Sequence, residues 1–300
     1  MDIYQTVTDR ILAQLKSGTV PWRKTWSIGM PRSLTTGKEY RGINILILGT
    51  TRHTSKYWVT YREAIRHGGY VRKGERATPV IYWKWRTPEE MQKQRAKTGR
   101  EDVAPCVPFV SAVFNLDQVE GVSRPEDDAP GDLEKGLATA GAVYEPMPDK
   151  PGIHHSATYN PAYSRLTDDV LMPNLNQFEN EAEYHATLFH ELVHSTGHAK
   201  RLNRFKETDG EFEKRYSFEE LVAEFGAAFL CGFAGIQNPG TEALQAGYIE
   251  SWSEVFERDN RILLRAASAA QKAVDYIRGV SLDSKQPESV NETAAQPAAA

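Results

Sequence analysis

Phe189–His198, FHELVHSTGH, is the stretch on which the reading of this chain turns. It contains His190-Glu191-x-x-His194, and residues four apart on a helix share one face about a turn apart. Both imidazoles can then reach a single ion, with the Glu191 carboxylate beside them. This is the HExxH arrangement of zinc hydrolases, two neutral histidines holding the metal and a carboxylate beside its bound water, from which it takes a proton. The flanks favour a helix here. Asn180 offers a capping side chain with Glu183 three residues on, and Ala182, Ala186, Phe189 and Val193 recur at helical spacing. Gly197 is placed to end the helix close to the motif.

A metal needs more than two protein donors, and His198, Glu220 and Glu224 are the candidates for the third. On a continuous helix His198 stands about 12 Å from His190 along the axis, beyond a shared ion. A break at Gly197 frees His198 but keeps it local. The metzincin spacing requires histidine at position 200, where this chain has Lys200, so that class is excluded. Ser217-Phe-Glu-Glu220 reads as the start of a second helix, EELVAEFGAAFLCGF, whose Ala- and Gly-rich face suits close packing on the metal helix. Glu220 and Glu224 share one face of it. Glu220 is read as the ligand, with Glu224 behind it or as the alternative ligand; the competing role for Glu220 is to complete a capping box. The expected ion is Zn2+, with another divalent metal such as Mn2+ as the alternative. Tyr163, His198 and Tyr216 are candidate donors to an oxyanion. Asp168–Pro173, DDVLMP, reads as a short edge strand before the metal helix, on which an extended peptide can pair. His154-His155 lacks a third partner at metal-binding spacing and reads as loop or core.

The 300 residues, 40% of them apolar, suffice for two domains of ordinary size. The amphipathic, acid-containing N-terminus MDIYQTVTDRILAQLKSG is unlike a secretion signal, and no apolar run approaches membrane-spanning length, so no membrane partner is expected. Cys106 and Cys231 read as reduced core residues, which points to a cytoplasmic location. The net charge of −4 conceals an asymmetry: residues 1–119 carry 20 Lys+Arg against 10 Asp+Glu, and the remainder 16 against 30. Opposed halves suggest two domains with different partners, the basic one suited to a phosphate backbone. The Pro-, Gly- and acid-rich run GVSRPEDDAPGD at 121–132 marks the boundary. The expected fold class is α+β in two domains: a small α+β nucleic-acid-binding domain over 1–122, a linker over 123–132, a metallopeptidase domain over 133–282 and a disordered tail over 283–300.

Within the basic half, Ile3, Tyr4, Val7, Ile11, Leu12 and Leu15 predict a packing helix, and Thr60-Tyr-Arg-Glu63 a capping box. Ile43–Leu48 is an apolar run that periodicity assigns to neither helix nor strand. Pro79–Arg86, PVIYWKWR, alternates as a strand, with Ile81, Trp83 and Trp85 on one face, and Pro108–Asn115 is its expected partner. The charged residues 87–104 between them read as a hairpin loop or an exposed helix. Thirteen of the chain's 30 aromatic residues, five of its six tryptophans among them, lie in this half among Arg and Lys. A positive groove attracts phosphates while aromatic faces stack on unpaired bases, so single-stranded DNA is the expected partner, bound without sequence preference. The candidate contacts are Trp22, Arg23, Lys24, Trp26, Lys38, Tyr40, Arg41, Arg72, Lys73 and Trp85.

TGKEYRGIN, WVTYREA, VRKGE and FNLDQVEG in the first half, followed by TLFHELVHSTGHAKRLNR and EELVAEFGAAF in the second, resemble the ArdC-type antirestriction proteins of conjugative plasmids. The resemblance spans nearly the whole chain. It implies a single-stranded DNA-binding domain joined to a zincin-like metallopeptidase domain that acts on an unknown protein substrate, and a role in helping incoming plasmid DNA escape host restriction. It also favours the gluzincin-like pattern, in which the first carboxylate of ExxxE, here Glu220, binds the metal. The rival reading is a DNA-coating protein whose metal site is structural.

Overall fold

Helix α1 (Ile3–Lys16) starts where the Asp2 carboxylate accepts the Tyr4 N–H, and it buries Val7, Ile11, Leu12 and Leu15 along one stripe. The structure, a computed structural model, describes residues 2–23, 29–103, 105–128, 133–205, 212–236 and 246–280. Strand β1 (Arg32–Ser33) leads to α2 (Ile43–Gly49), so the ambiguous apolar run is a helix, buried on every side. Then come β2 (Tyr57–Thr60), α3 (Tyr61–Arg66), β3 (Tyr70–Val71), β4 (Thr78–Trp85), α4 (Pro88–Thr98), β5 (Cys106–Asn115) and β6 (Val119–Glu120). Thr60 and Glu63 form the expected capping box on α3, and Thr87 and Glu90 form another on α4. The main sheet runs β1-β2-β5-β4, parallel only between β1 and β2, while β3 pairs with β6.

The β4–β5 hairpin departs from simple alternation. Val80 and Ile81 are both buried, whereas Tyr82, Trp83, Lys84 and Trp85 are all exposed. Helix α4, which closes the hairpin, buries nothing, so the distal strands project beyond any layer that could cover them.

The second half comprises α5 (Leu133–Tyr144), β7 (Gly152–His155), β8 (Ala162–Ser164), β9 (Asp169–Met172), α6 (Glu181–Ser195), α7 (Phe212–Ala234), α8 (Ala246–Arg258) and α9 (Ile262–Ile277). Its sheet order is β7-β9-β8. The DDVLMP strand is therefore central, flanked by parallel β7 and antiparallel β8, and the edge that can accept a peptide belongs to β8 or β7.

The change of composition at 121–132 is not a break in packing. One core joins Ile11, Leu15, Trp22, Ile45 and Ile47 to Phe189, Phe225, Phe229, Phe256 and Val274. The RGIN segment clamps the two halves. Arg41 pairs with the buried Asp275 of α9, and the Gly42 N–H donates to Gln271 Oε1 at 2.9 Å. Asn44 brackets Ile81 on both sides, donating to its carbonyl and accepting its N–H at 2.7 Å each. Gly42 sits at φ +55, a left-handed conformation that disfavours any side chain. Of the expected linker, residues 123–128 are fastened to the basic half: Asp127 accepts from the Tyr57 hydroxyl, and Asp128 from the Ser55 hydroxyl and the Lys56 N–H. Residues 129–132 and the tail 283–300 lie outside the described residues. Among the described residues no helix is long and apolar enough to cross a membrane, and both cysteines are free thiols.

Candidate functional site

Asn180 caps α6 by accepting the Glu183 N–H at 2.9 Å, and the helix runs unbroken to Ser195. Phe189, Leu192 and Val193 bury its inner face, which turns His190 and His194 towards α7. Their Nε2 atoms lie 3.1 Å apart. Across from them on α7, Glu220 Oε2 is 3.6 Å from His190 Nε2, and Glu220 Oε1 is 3.5 Å from His194 Nε2. One donor atom from each of the three residues falls within 4.8 Å of the others. Among the described residues this is the grouping of three that could hold a metal ion, and neither His198 nor Glu224 belongs to it.

The helix start removes the competing role for Glu220. Helix α7 begins at Phe212, five residues before Ser217, so Glu220 lies inside the helix and has no cap to complete. Gly226 lets α7 approach: a Cβ there would come within 2.6 Å of Val193. Gly197 serves a similar end. Its φ is not left-handed, and a Cβ at 197 would strike the Phe205 ring at 2.5 Å, so glycine is required by the chain folding back beneath the metal helix.

Charge is distributed unevenly over these groups. Burial works against protonation of His190, but the hydrogen bond to Glu220 and the charges of Glu191, Glu224 and Glu220 outweigh it and raise its pKa. Burial and the neighbouring His190 charge push His194 down to about 3. Burial raises the Glu191 pKa against the opposing pull of His190 and a hydrogen bond from the Tyr163 N–H.

Asp168 organises the far side of the site. It sits at φ +59 in the β8–β9 turn and accepts from the Tyr163 hydroxyl at 2.7 Å, Arg201 at 2.7 Å and Lys200 at 3.1 Å. Burial alone would raise its pKa, but these donors hold it well below the usual carboxylate range. One expected oxyanion donor, the Tyr163 hydroxyl, is corrected by this network. The Tyr163 hydroxyl is engaged by Asp168, and the residue meets the site through its backbone N–H on Glu191. His198 faces the same carboxylate at 4.0 Å, and its Nδ1 accepts the Lys200 N–H. The Tyr216 side chain lies outside the described residues.

A further residue was not legible as part of the site. Arg204 donates to Thr196 Oγ1 at 2.7 Å, to the Val193 carbonyl at 3.0 Å and to Glu219 at 3.2 Å. Val193 and Glu219 each directly precede a residue of the cluster, so one guanidinium braces α6 against α7 beside the ligands. An arginine 14 residues beyond His190 carries no motif spacing that would announce it.

Comparison with known proteins agrees with this geometry. Residues 148–269 match a zincin-like metallopeptidase model, and residues 1–114 match the N-terminal domain of anti-restriction factor ArdC. The Mn(II)-bound crystal structure of antirestriction ArdC protein from the R388 plasmid superposes with a TM-score of 0.72 at 35% identity, covering 95% of this chain and 100% of that one. The chain belongs to the ArdC antirestriction family. An uncharacterized protein, y4eC of Sinorhizobium fredii (strain NBRC 101917 / NGR234), is 32% identical over 96% of this chain and 95% of its own length. A DNA primase TraC of Escherichia coli is 35% identical over 98% of this chain, which spans only 29% of that primase.

Within this ArdC-family chain the expected DNA contacts separate by burial. Trp22 is fully buried, edge-on to Phe225 at 5.1 Å and Phe256 at 6.2 Å, and offers no face to a base. Tyr40 is buried as well, and Arg41 is committed to Asp275. These three belong to the core and its clamp, because an aromatic in a loop-like segment is covered as readily by a distant helix as by a ligand. Trp85, Lys38 and Lys73 are exposed, and Arg72 is half-exposed with Glu75 as its partner. Lys24, Trp26 and the Arg23 side chain lie outside the described residues. Sequence reasoning missed Tyr82 and Phe109, cross-strand neighbours that are both about half-exposed on the hairpin. The signal was the charged segment 87–104, which has no apolar face to cover them.

Proposed function

We propose that this chain binds single-stranded DNA through its N-terminal half, carries a zinc-type metallopeptidase site in its second half, and protects incoming DNA from host restriction in the cytoplasm. The observation that carries the peptidase reading is the convergence of His190, His194 and Glu220 with the buried Glu191 beside them. Two imidazole nitrogens and a carboxylate oxygen are a donor set that suits Zn2+ and also admits Mn2+. His190, His194 and Glu220 would hold the ion, which when bound supplies Lewis-acid polarisation of a scissile carbonyl and of the attacking water. Glu191 accepts the proton of that water and passes it to the leaving amine; its burial raises its pKa towards the range in which it can do both. The Tyr163 N–H opposes that rise by stabilising the charged carboxylate. Glu224 stands behind the ligands and adds negative charge at His190.

The DNA reading is supported by the hairpin, where Tyr82, Trp83, Trp85 and Phe109 are each 42–58% exposed beside Lys84 and Arg86. Exposed aromatic faces among cations suit unpaired bases, each stacked base contributing roughly 1–3 kcal/mol. The domain division at 123–132 remains the reading for function, with DNA on the basic side and peptide on the other.

Glu191→Gln tests the role of the chemistry. The variant should retain metal, lose hydrolysis of the protein substrate and lose protection of unmodified DNA during transfer. Protection equal to wild type would leave the DNA-coating role alone standing. For DNA, affinity should favour single strands over duplex and fall steeply with salt; equal and salt-insensitive affinities would remove that half of the proposal.

A further inference from the structure

The exposed aromatic strip of the hairpin ends at a groove that both halves of the chain build. It has a volume of about 610 Å3, and its lining includes Tyr4 of α1, Trp83 of β4, Arg204, and Arg265, Ser268 and Lys272 of α9. We propose that this groove takes one unpaired nucleobase with its flanking phosphates, so that a bound single strand runs from the hairpin onto the metallopeptidase half. The inference rests on the single-strand reading above and adds the path of the strand.

Size and chemistry agree on this occupant. The volume falls within the roughly 300–1,000 Å3 of sites for small organic ligands, which includes a nucleotide. Trp83 is 42% exposed and shares a strand face with the exposed Trp85, so the groove wall extends a stacking surface that already faces solvent. Opposite it, Arg265, Ser268 and Lys272 follow one face of α9 at helical spacing, a row about 10 Å long. Lys272 is exposed and has no ion-pair partner among the described residues. Arg265 pairs with Asp259, but both side chains are well exposed, and such a pair is weak enough for a phosphate to displace it. No carboxylate is among the residues that line the groove, and Glu219, the partner of its lining residue Arg204, is matched by that guanidinium. Arg261 lies over the Tyr4 ring at 5.2 Å and adds positive charge at the same mouth. A peptide would find an aromatic wall here, but no carboxylate in the lining to meet its cationic side chains.

The test uses the full chain and oligothymidylates of stepped length, read by fluorescence anisotropy across a salt series. Arg265→Glu combined with Lys272→Glu should lower affinity for long oligomers at least tenfold and reduce the salt slope by about 1.4, the value for two phosphate contacts on a single strand. The shortest oligomers, which fill only the hairpin, should bind as to wild type. A control with the same change of charge elsewhere, Lys150→Glu with Arg258→Glu, should leave slope and length dependence unchanged. Trp85→Ala should weaken binding at every length. If wild type binds single strands and the groove variant matches it in affinity, slope and length dependence, the groove is not on the path while the single-strand reading stands. If wild type binds no single strand, both fall together. Loss of affinity for a peptide, with DNA binding intact, would reassign the groove and overturn the inference.

Discussion

Replacing Arg204 by methionine removes the guanidinium that spans the two metal-site helices while keeping most of the side chain's volume. Arg204 and Glu219 are 12% and 11% exposed in their side chains, so the pair is screened little by water. Its loss strands the Glu219 carboxylate in the interior, and breaking a buried pair from one side costs about 3–5 kcal/mol. The bonds to Thr196 Oγ1 and the Val193 carbonyl add about 1 kcal/mol each before relaxation, and the terms are not additive. We expect a net destabilisation of about 3–5 kcal/mol, or a fall in Tm of roughly 10 °C for a chain of this size. A second consequence is specific to the site. Val193 and Glu219 adjoin His194 and Glu220, so α6 and α7 should drift apart at the ligands, and metal affinity should fall roughly 10–100-fold. Calorimetric titration of metal together with thermal melting separates the two effects. Adding Glu219→Leu to Arg204→Met should restore part of the stability, because no charge is then left stranded, without restoring metal affinity. A single variant with wild-type Tm and wild-type metal affinity would refute the bracing role.

Three further outcomes follow from particular contacts. Trp22→Ala should destabilise the chain by about 3–5 kcal/mol in denaturant titration, since it empties a fully buried site between Phe225 and Phe256; a variant of unchanged stability with weakened DNA binding would return Trp22 to the DNA surface. Gly197→Ala should cost about 1–3 kcal/mol, because its Cβ meets the Phe205 ring at 2.5 Å, and the melt should show it even without metal. Burial alone would raise the Asp117 pKa, but hydrogen bonds from the Thr54 N–H, Arg124, the Thr54 hydroxyl and the Ser55 N–H lower it from 3.8 to about 2. A carboxylate depressed on folding stabilises above its unfolded pKa, and that contribution is lost as pH falls through the folded one. Asp117→Asn should therefore be about 1–2 kcal/mol less stable at neutral pH, after allowance for solvent screening, and the gap should close between about pH 4 and 2. A gap that persists at pH 2 would assign the effect to packing.

What was legible from sequence was local. His190, Glu191 and His194 lie within one turn of a helix whose cap and buried stripe lie within 15 residues, so nothing distant had to be known. Glu220 was reachable because a carboxylate on an Ala- and Gly-rich helix has few other uses there, although the competing cap at Ser217 was excluded only when the helix proved to start at Phe212. Asp168 and Arg204 were not legible. Their partners lie in other elements, Tyr163 and Arg201 for the first and Val193 and Glu219 for the second, and no period in the chain marks such meetings. The same cause misplaced the aromatics. Trp22 and Trp85 stand in equally basic segments, and only the presence of α7 and α8 over one, and of nothing over the other, separates core from surface.

The clamp formed by Arg41, Gly42 and Asn44 changes what the charge asymmetry means. A +10 segment beside a −14 segment reads as two independent modules, yet the RGIN residues fasten α2 to Asp275 and Gln271 of α9 and to Ile81 of β4. Helix α9 therefore has the clamp on one face and the Arg265–Lys272 row on another, and it packs on α7, which carries Glu220. A strand of DNA drawn across that row would press on an element in direct contact with the ligand helix. Opposite charge in the two halves then serves their mutual docking as well as partner choice: Arg41 from the basic side is neutralised by a carboxylate, 3% exposed, that no solvent ion can reach as readily. On this arrangement the hairpin proposed to meet DNA and the helix that carries Glu220 are parts of one packed body, joined through α2 and α9.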